Sequence, residues 1–368
     1  MSGLRVLITN RMLGGRTGTE TYTRDLALGL LRTGHTPMLY SPTLGELAEE
    51  LREAAIPVAS DLRALGDPPD VIHGHHLLET LAALSRFPGV PAVFVCHDAA
   101  AWQATPPRHP RVHRFVAVDT GCRERLVDQE GIDASRCALI PNAVDLGRFQ
   151  PRGPLPARPR RALAFGHVLD AASLACLERV CSDRGILLAR AGAGVGGELS
   201  TPEVSLGEHD LVFAKGRCAL EAMAVGAAVV VCGPGGVGAL VTSAEMDALR
   251  PLNFGRRSYR LPFDAEHLGA QVDRYDARDA EDVSRRIRSL VGLDALCAAF
   301  VEVYEAVVEE QRAAPPLWQK ESEALADTFV WIARHWEGTV KRTVKQRVRK
   351  RLGRRGWRRF LGGRKPAS

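Results

Sequence analysis

The sequence predicts an α/β protein with two Rossmann-like, doubly wound domains that face a cleft, followed by C-terminal helices. Short apolar segments alternate with helical segments along most of the chain, a pattern typical of parallel sheets covered by helices. A stretch rich in proline and arginine, residues 151–161, interrupts this alternation. The length of 368 residues also suits two cores of about 150 residues each better than one.

The strands are predicted from short apolar runs and the helices from helical periodicity between them. We expect strands at 4–9, 38–40, 70–73, 92–96, 115–118, 137–140, 162–165, 186–189, 204–206, 211–214, 227–232 and 259–261. The main helices are expected at 21–33, 44–55, 77–86, 218–224 and from 279 to about 337. The predicted organisation is a first domain at 1–150, a linker at 151–161, a second domain at 162–312, a closing helix at 313–337 and a tail at 338–368.

Charge is distributed unevenly between the body of the chain and its C-terminal tail. Residues 338–368 contain 13 Lys and Arg and no acidic residue, whereas the preceding chain carries 36 Lys and Arg against 43 Asp and Glu. Apolar residues recur along the tail at Val340, Val344, Val348, Leu352, Trp357, Phe360 and Leu361. A basic amphipathic helix of this kind is typical of segments that bind anionic membrane surfaces.

Two other interpretations of the tail are a solvated disordered segment and a nucleic-acid-binding segment. The acidic body lacks a recognisable nucleic-acid-binding fold, so we expect no nucleic-acid partner. Eight cysteines without C-x-x-C spacing suit a reducing compartment. A strand that opens at residue 4 and the absence of an apolar run of 18 residues predict no signal peptide and no membrane span. We therefore expect a cytoplasmic protein, peripheral at the inner face of the membrane.

The most informative stretch is a strand, a basic turn and a helix between residues 211 and 226. The predicted strand ends at Ala214, Lys215, Gly216 and Arg217 form the turn, and a helix follows. Free N–H groups at a helix N-terminus, together with two cations, favour a phosphate. Glu221, about one turn into the helix, is suited to accept hydrogen bonds from sugar hydroxyls. The expected ligand is a nucleotide-diphosphate sugar.

This stretch resembles the donor site of retaining, GT-B-fold glycosyltransferases of the family-4 type, whose pattern is roughly E-G-F-G-L-P-x-L-E-A-M-A-x-G-x-P-V-V. The segment 220–224, Gly216 and Gly226 match that pattern. The resemblance implies that Glu221 holds the nucleotide ribose. The family's first glutamate, which touches the donor sugar, falls on Phe213, so the paired-glutamate motif is half present.

The N-terminal half resembles the same family, and the resemblance covers roughly residues 4–310. The matching positions are Gly14, Gly15, Gly18, Thr19, Glu20, Gly34, His35, His97, Asp98, the segment 140–145, Phe149 and Tyr304. By this resemblance, Gly14 and Gly15 close over the diphosphate, and His97 contacts the transferred sugar.

Two G-x-G-x-x-G patterns, at 192–197 and 233–238, each follow a predicted strand. Dinucleotide binding would require a strand that ends in an acidic residue about 20 positions later, and neither pattern has one. We interpret both as strand-to-helix loops. In the resembled fold the second loop approaches the donor, which selects Gly235 and Gly236 as donor-binding residues.

The family usually supplies an arginine and a lysine to the diphosphate from a stretch that corresponds here to 166–172, which carries neither. Lys215 and Arg217 are the nearest candidates to replace them, and Arg16 could approach when the cleft closes. The alternative is that Lys215 and Arg217 are an ordinary surface charge pair.

The cluster His73-Gly-His75-His76 raises the question of a metal site. No cysteine follows nearby to complete a zinc site, so we favour His73 and His75 as residues that line the cleft. We expect no metal and no cofactor, because basic residues and helix ends typically neutralise the leaving diphosphate in GT-B enzymes.

The predicted function is transfer of a hexose from a nucleotide-sugar, with retention, to an acceptor such as a lipid-linked or cell-surface glycan. The predicted catalytic residues are His97, Lys215 and Glu221. No carboxylate pair suggests double displacement, so the leaving phosphate would act as the base. The alternatives are a nucleotide-sugar epimerase and a catalytically degenerate protein that binds a nucleotide or a partner; Phe213 and the missing Arg/Lys pair favour the latter.

Overall fold

The computed structural model describes residues 3–166, 170–192, 197, 199 and 201–334. The chain divides into two compact units, one of residues 1–106 with 111–314 and the other of 107–110 with 315–368. The larger unit holds both Rossmann-like sheets, and the smaller one holds a helix over residues 318–334. Within the described ranges no helix is long and apolar enough to cross a membrane. The predicted tail, 338–368, lies outside the described residues, and the predicted domain boundaries stay predictions.

The first half of the larger unit is built on a seven-stranded, wholly parallel sheet in the order β3-β2-β1-β4-β5-β6-β7. Its strands are β1 Arg5–Thr9, β2 Thr36–Tyr40, β3 Val58–Ala59, β4 Val71–Gly74, β5 Ala92–Cys96, β6 Val112–Ala117 and β7 Cys137–Leu139. Its helices are α1 Gly18–Arg32, α2 Glu46–Glu53, α3 Leu77–Arg86 and α4 Thr120–Glu124. Of the strands in this half the sequence missed only β3, because two residues are too few for a strand pattern.

The second half is built on a five-stranded sheet in the order β12-β11-β10-β8-β9, parallel except for β12. Its strands are β8 Arg161–Phe165, β9 Leu187–Ala191, β10 Leu211–Ala214, β11 Ala228–Gly233 and β12 Gly236–Leu240. Its helices are α5 Ala171–Ser182, α6 Pro202–Gly207, α7 Gly216–Val225, α8 Met246–Leu249, α9 Ala265–Val272, α10 Ala277–Leu290 and α11 Leu293–Ala313.

Strand order reverses beside the first strand of each sheet. β1 lies between β2 and β4, and β8 lies between β9 and β10. In each sheet the strands that follow the first strand are therefore added on one side of it and later on the other side. The loops that follow the two strands on either side of such a reversal separate and leave a crevice at the carboxyl edge. The loops after β1 and β4, and after β8 and β10, therefore lie where a ligand site is expected.

Three predictions about the second half are wrong. Residues 204–206 are helical and belong to α6, because Pro202 occupies the first turn, where its missing N–H costs nothing. No strand runs over 259–261; of these three residues only Leu261 forms an isolated bridge, with Val237. The glycine pattern at 233–238 is a tight turn between antiparallel strands β11 and β12, not a strand-to-helix loop.

The last helix of the larger unit, α11, packs against the first half although it follows the second half in the chain. The Tyr304 hydroxyl lies 2.6 Å from Nδ1 of His73 in β4. Gly29 of α1 approaches Cys297 so closely that a Cβ at Gly29 would lie 2.5 Å from its Sγ. This helix therefore ties the two sheets into one unit.

Candidate active site

A cavity of about 490 Å³ opens between the carboxyl edges of the two sheets. This volume is in the range of sites that hold ligands of nucleotide size. Both halves line the cavity, the first through Arg16, Thr17, His97, Asp98 and Asp119, and the second through Gly166, Phe213, Lys215, Gly216, Arg217, Glu221 and Arg256. The structure therefore brings all three predicted catalytic residues to one cavity.

The basic segment after β10 leads directly into α7, which begins at Gly216, so Gly216 and Arg217 belong to the helix and not to a turn before it. Lys215 is the extended N-cap residue of α7, and Gly216 has a φ of +57°, in the left-handed region that favours glycine. One feature differs from the expectation of free N–H groups, because the Gly216 N–H donates to the Phe254 carbonyl at 2.8 Å. The helix end therefore offers fewer donors to a phosphate than the sequence pattern indicates.

Arg217 does not project freely into the cavity. Its guanidinium donates to the Asp25 carboxylate of α1, and its Nε donates to Oε1 of Glu221 at 2.7 Å. Arg24 also donates to Asp25, at 2.7 Å. Because Asp25 and Arg217 are only 4% and 10% exposed, this ion pair joins the two halves in a nearly dry environment.

These contacts shift the pKa values of the two carboxyl groups in opposite directions. Burial raises the pKa of Glu221, and the neighbouring Arg217 only partly offsets that effect. Burial would also raise the pKa of Asp25, but Arg217 and Arg24 outweigh it and hold the pKa below its usual value. The Asp25 carboxylate therefore carries the charge that balances Arg217, and Glu221 is the more easily protonated partner.

His97 follows β5 and reaches the cavity together with Asp98. Its Nε2 lies 2.8 Å from Nδ1 of His75, and the Tyr22 ring packs on it at 4.6 Å between ring centroids. Burial, helped by His76, His73 and Arg217, lowers the pKa of His97 to about 3. The imidazole is therefore neutral at physiological pH, so it would act on a sugar as a hydrogen-bonding group and not as a cation.

His73 and His75 do not line the cavity as the sequence suggests. Both are buried, at 0% and 1% exposure: His73 lies in β4, His75 follows that strand directly, and neither is among the residues that line the cavity. Burial lowers the pKa of His73 to about 3 and that of His75 well below its usual value. In the part of the chain that the structure describes, no group of three or more His, Cys, Asp or Glu could hold a metal ion.

The glycines predicted to bind the donor are placed differently from the expectation. The N–H groups of Gly14 and Gly15 donate to Oε1 of Glu20, at 3.3 and 3.2 Å, and Glu20 also accepts from Thr17 as part of the capping box of α1. These two glycines lie beside the cavity and not among its lining residues.

Gly235 and Gly236 form the turn between β11 and β12, which is likewise absent from the cavity lining. Gly236 has a φ of +147°, and a Cβ there would lie 2.7 Å from the Leu261 carbonyl oxygen, so glycine is required by the backbone. The turn supports side chains that do reach the cavity.

Two residues near the cavity, Asp25 and Arg256, were not predicted from the sequence. Asp25 lies in the middle of α1, where a single acid carries no sequence signal for a partner 192 positions away. Arg256 lies in a Gly-Arg-Arg turn, and the tertiary fold alone places it at the cavity. The one feature of the sequence that could have indicated Arg256 is the pair of arginines that follows Gly255.

Comparisons with known proteins identify the type of fold. Residues 16–148 match the model of Glycosyltransferase Family 4. A glycosyltransferase from Rickettsia africae is similar in structure, with a TM-score of 0.63 and 15% identity over 84% of this chain and 99% of that one. The family-4 match and this architecture agree. The chain has a GT-B fold, and its residues 16–148 are similar to Glycosyltransferase Family 4.

Other solved GT-B structures agree with this assignment. HepE from Anabaena, solved in complex with UDP and glucose, has a TM-score of 0.58 and 13% identity over 82% of this chain and 99% of that one. The catalytic domain of starch synthase IV from Arabidopsis thaliana, bound to ADP and acarbose, has a TM-score of 0.50 and 11% identity over 84% and 100%. At such identities the likeness concerns the fold. No curated protein matches the chain at a significant level.

Proposed function

We propose that this GT-B protein transfers a hexose from a nucleotide-sugar to a glycan or lipid-linked acceptor, with retention of anomeric configuration and without a metal ion. The observation that carries the proposal is the cavity between the two carboxyl edges, in which Glu221, Lys215 and His97 meet. The complexes of HepE with UDP-glucose and with UDP and glucose support a nucleotide-sugar donor.

In this proposal each of the three residues has a separate task. Arg217 donates to Oε1 of Glu221. Glu221 accepts hydrogen bonds from the ribose hydroxyls through its other carboxylate oxygen, Oε2. Lys215, half-buried at the end of β10, neutralises charge that develops on the leaving diphosphate. Neutral His97, held by His75, orients the transferred hexose through a hydrogen bond.

The carboxylates of the cavity support a mechanism in which the leaving phosphate acts as the base. Asp98 Oδ1 accepts from the N–H groups of Ala100 and Ala101, at 2.6 and 2.9 Å. Asp119 accepts from Cys122 N–H at 2.7 Å, and Glu221 accepts from Arg217. All three carboxylates therefore already serve structural contacts, which makes a role as sugar nucleophile costly for each of them.

A catalytically degenerate protein that binds a nucleotide or a partner is the second candidate. Phe213, which stands in place of the family's first glutamate, is 2% exposed and packs in the core of the second sheet. It can offer no hydrogen bond to a donor sugar. A nucleotide-sugar epimerase is the third candidate, and it would isomerise the free donor without an acceptor.

A thermal-shift panel of nucleoside diphosphates and nucleotide-sugars tests the proposal. A ligand at 100 times its Kd stabilises a protein by about 2.7 kcal/mol, so one member of the panel should raise Tm in the wild type. Glu221→Ala should lose that shift, and Glu221→Gln, which keeps an acceptor for Arg217, should weaken it. Glu208→Ala, which removes an exposed carboxylate paired with Arg161, should retain it.

The three candidates give different results in this panel and in an assay of the products. A wild-type shift that persists in Glu221→Ala would contradict the assignment of Glu221. A flat panel for the wild type would favour the degenerate protein. Isomerised donor in the absence of any acceptor would identify an epimerase.

We further propose that the basic segment 338–368 holds the protein at the anionic, cytoplasmic face of a membrane. The support is its 13 Lys and Arg without an acidic residue, each worth about 1 kcal/mol near an anionic surface. A chain that ends at residue 337 should no longer co-sediment with phosphatidylserine vesicles at low salt, whereas the full chain should. Retained binding would move the membrane contact to another part of the protein.

A further inference from the structure

The basic residues that line the cavity differ in whether a carboxylate already neutralises them. Four are paired: Arg16 with Glu50 at 3.0 Å, Arg148 with Glu203 at 2.8 Å, Arg257 with Glu124 at 2.5 Å, and Arg217 with Asp25 and Glu221. Lys215 and Arg256 have no ion pair with any residue that the structure describes. These two cations are therefore the ones available to an anionic ligand.

Lys215 and Arg256 also lie against the same structural support. A Cβ at Gly233 would lie 3.5 Å from Cδ of Lys215, and a Cβ at Gly235 would lie 3.8 Å from Nη2 of Arg256. Both side chains thus lie beside the end of β11 and the turn that leads into β12, at ordinary contact distance from the backbone there.

We infer that Lys215 and Arg256 together form the diphosphate-binding site of this protein. Two neighbouring cations repel each other, and burial together with Arg256 lowers the pKa of Lys215, an effect that Cys218 and Asp98 only partly offset. A bound diphosphate would offset that repulsion, because its negative charge would lie close to both Lys215 and Arg256. Lys215 and Arg256 thereby replace the lysine and arginine that are missing from 166–172.

This assignment changes the role of Arg217. Its guanidinium satisfies two buried carboxylates, so it serves to join the halves and to position Glu221. Arg256, in contrast, is an exposed side chain on the turn Arg256–Ser258, and its guanidinium can form two parallel hydrogen bonds with phosphate oxygens. Arg256 therefore contributes to binding of the diphosphate, and Lys215 supplies a second, point-like positive charge.

The inference rests on the proposed nucleotide-sugar donor, and isothermal titration with UDP, ADP, GDP and dTDP tests it. The best-binding diphosphate should lose about tenfold or more in affinity in Arg256→Gln and in Lys215→Gln, as expected for the loss of a charge-assisted contact. Arg256→Lys should recover part of that loss. The corresponding nucleoside, which has no phosphate, should bind equally to all variants.

Arg257→Gln is the matched control, because Arg257 is the next residue, lines the same cavity and is paired with Glu124. It should keep the wild-type affinity within about twofold, since its charge is already used. Unchanged diphosphate affinity in Arg256→Gln, or an equal loss in Arg257→Gln, would overturn the assignment of Arg256 and leave the proposed function standing. A wild-type protein that binds none of the four diphosphates would overturn both.

Discussion

Arg217 shows how one residue can satisfy a sequence pattern and serve another purpose. Its position after Gly216 in a basic turn suggests a phosphate ligand, yet the guanidinium is 10% exposed and enclosed by Asp25 and Glu221. A charge removed from water needs a close partner to offset its desolvation, and two carboxylates meet that need here. The buried ion pair is therefore part of the contact between the two halves.

The residue-scale prediction concerns this ion pair. Asp25→Asn should destabilise the protein by about 3–5 kcal/mol, because it leaves the Arg217 charge buried with less compensation. Arg217→Met should cost a similar amount, and the double variant should cost clearly less than the two single costs added together. Urea unfolding of the three variants and the wild type measures these differences.

The exposed pair between Arg161 and Glu208, 3.5 Å apart, is a matched control. Glu208→Gln should change the free energy of unfolding by less than about 1 kcal/mol. If Asp25→Asn is no more harmful than Glu208→Gln, the pair between Asp25 and Arg217 does not stabilise the folded chain.

At the scale of elements, the strand-helix unit β10–α7 is specified by its own sequence. Leu211–Ala214 is buried throughout, and α7 ends at Gly226, which has a φ of +102°. Two hydrogen bonds close that end, from the Gly226 N–H to the carbonyls of Ala222 and Met223. Glycine adopts this left-handed conformation without the strain that other residues incur there.

The element-scale prediction compares two glycines at helix ends. Gly226→Ala should destabilise the protein by about 1–2 kcal/mol, because alanine is strained at this φ. Gly207→Ala, within the last turn of α6 and with open space around its Cβ position, should be neutral or stabilising by up to about 1 kcal/mol. The opposite signs should appear as shifts of Tm in opposite directions. A cost for Gly207→Ala as large as that for Gly226→Ala would contradict this explanation.

At the scale of the whole molecule, a buried group of aromatic and histidine side chains lies under the cavity. It is assembled from β4 and the residues after it, the end of β5, α1 and α11: His73, His75, His76, His97, Tyr22 and Tyr304. Burial lowers the pKa of His76 to about 4 and those of His73 and His97 to about 3. The fold thus favours the neutral form of each.

The whole-molecule prediction follows from these low pKa values. In the unfolded chain these histidines bind a proton below pH about 6.5, whereas in the folded chain they stay neutral until pH about 3–4. The unfolded state therefore binds more protons in that window, and stability must fall as pH falls from 6.5. Each such histidine contributes up to about 1.4 kcal/mol per pH unit.

Urea unfolding between pH 7.5 and 5 measures this loss in a range in which most unfolded carboxylates remain ionised. His73→Asn, which keeps a polar atom near Tyr304 but cannot titrate, should show a shallower decline with pH. A free energy of unfolding that is constant from pH 7 to 5 would be inconsistent with a buried, neutral histidine group.

The amino-acid sequence by itself determined the local features of this protein. Apolar runs specify the parallel strands, Gly34 and Gly226 end helices α1 and α7, and the segment 211–226 forms the predicted strand and helix. These features depend on neighbours within a few residues, and periodicity and backbone preference describe them well. The match to the family pattern in the same segment also identified the GT-B fold.

Only the tertiary structure decided which polar side chains are available in the cavity. Arg217 meets Asp25 across 192 positions of sequence, Gly14 and Gly15 give their N–H groups to Glu20, and Arg256 reaches the cavity unpaired within the described residues. The physical reason is that a charge's role depends on the partners that folding brings within a few ångströms. Sequence spacing carries no record of those partners.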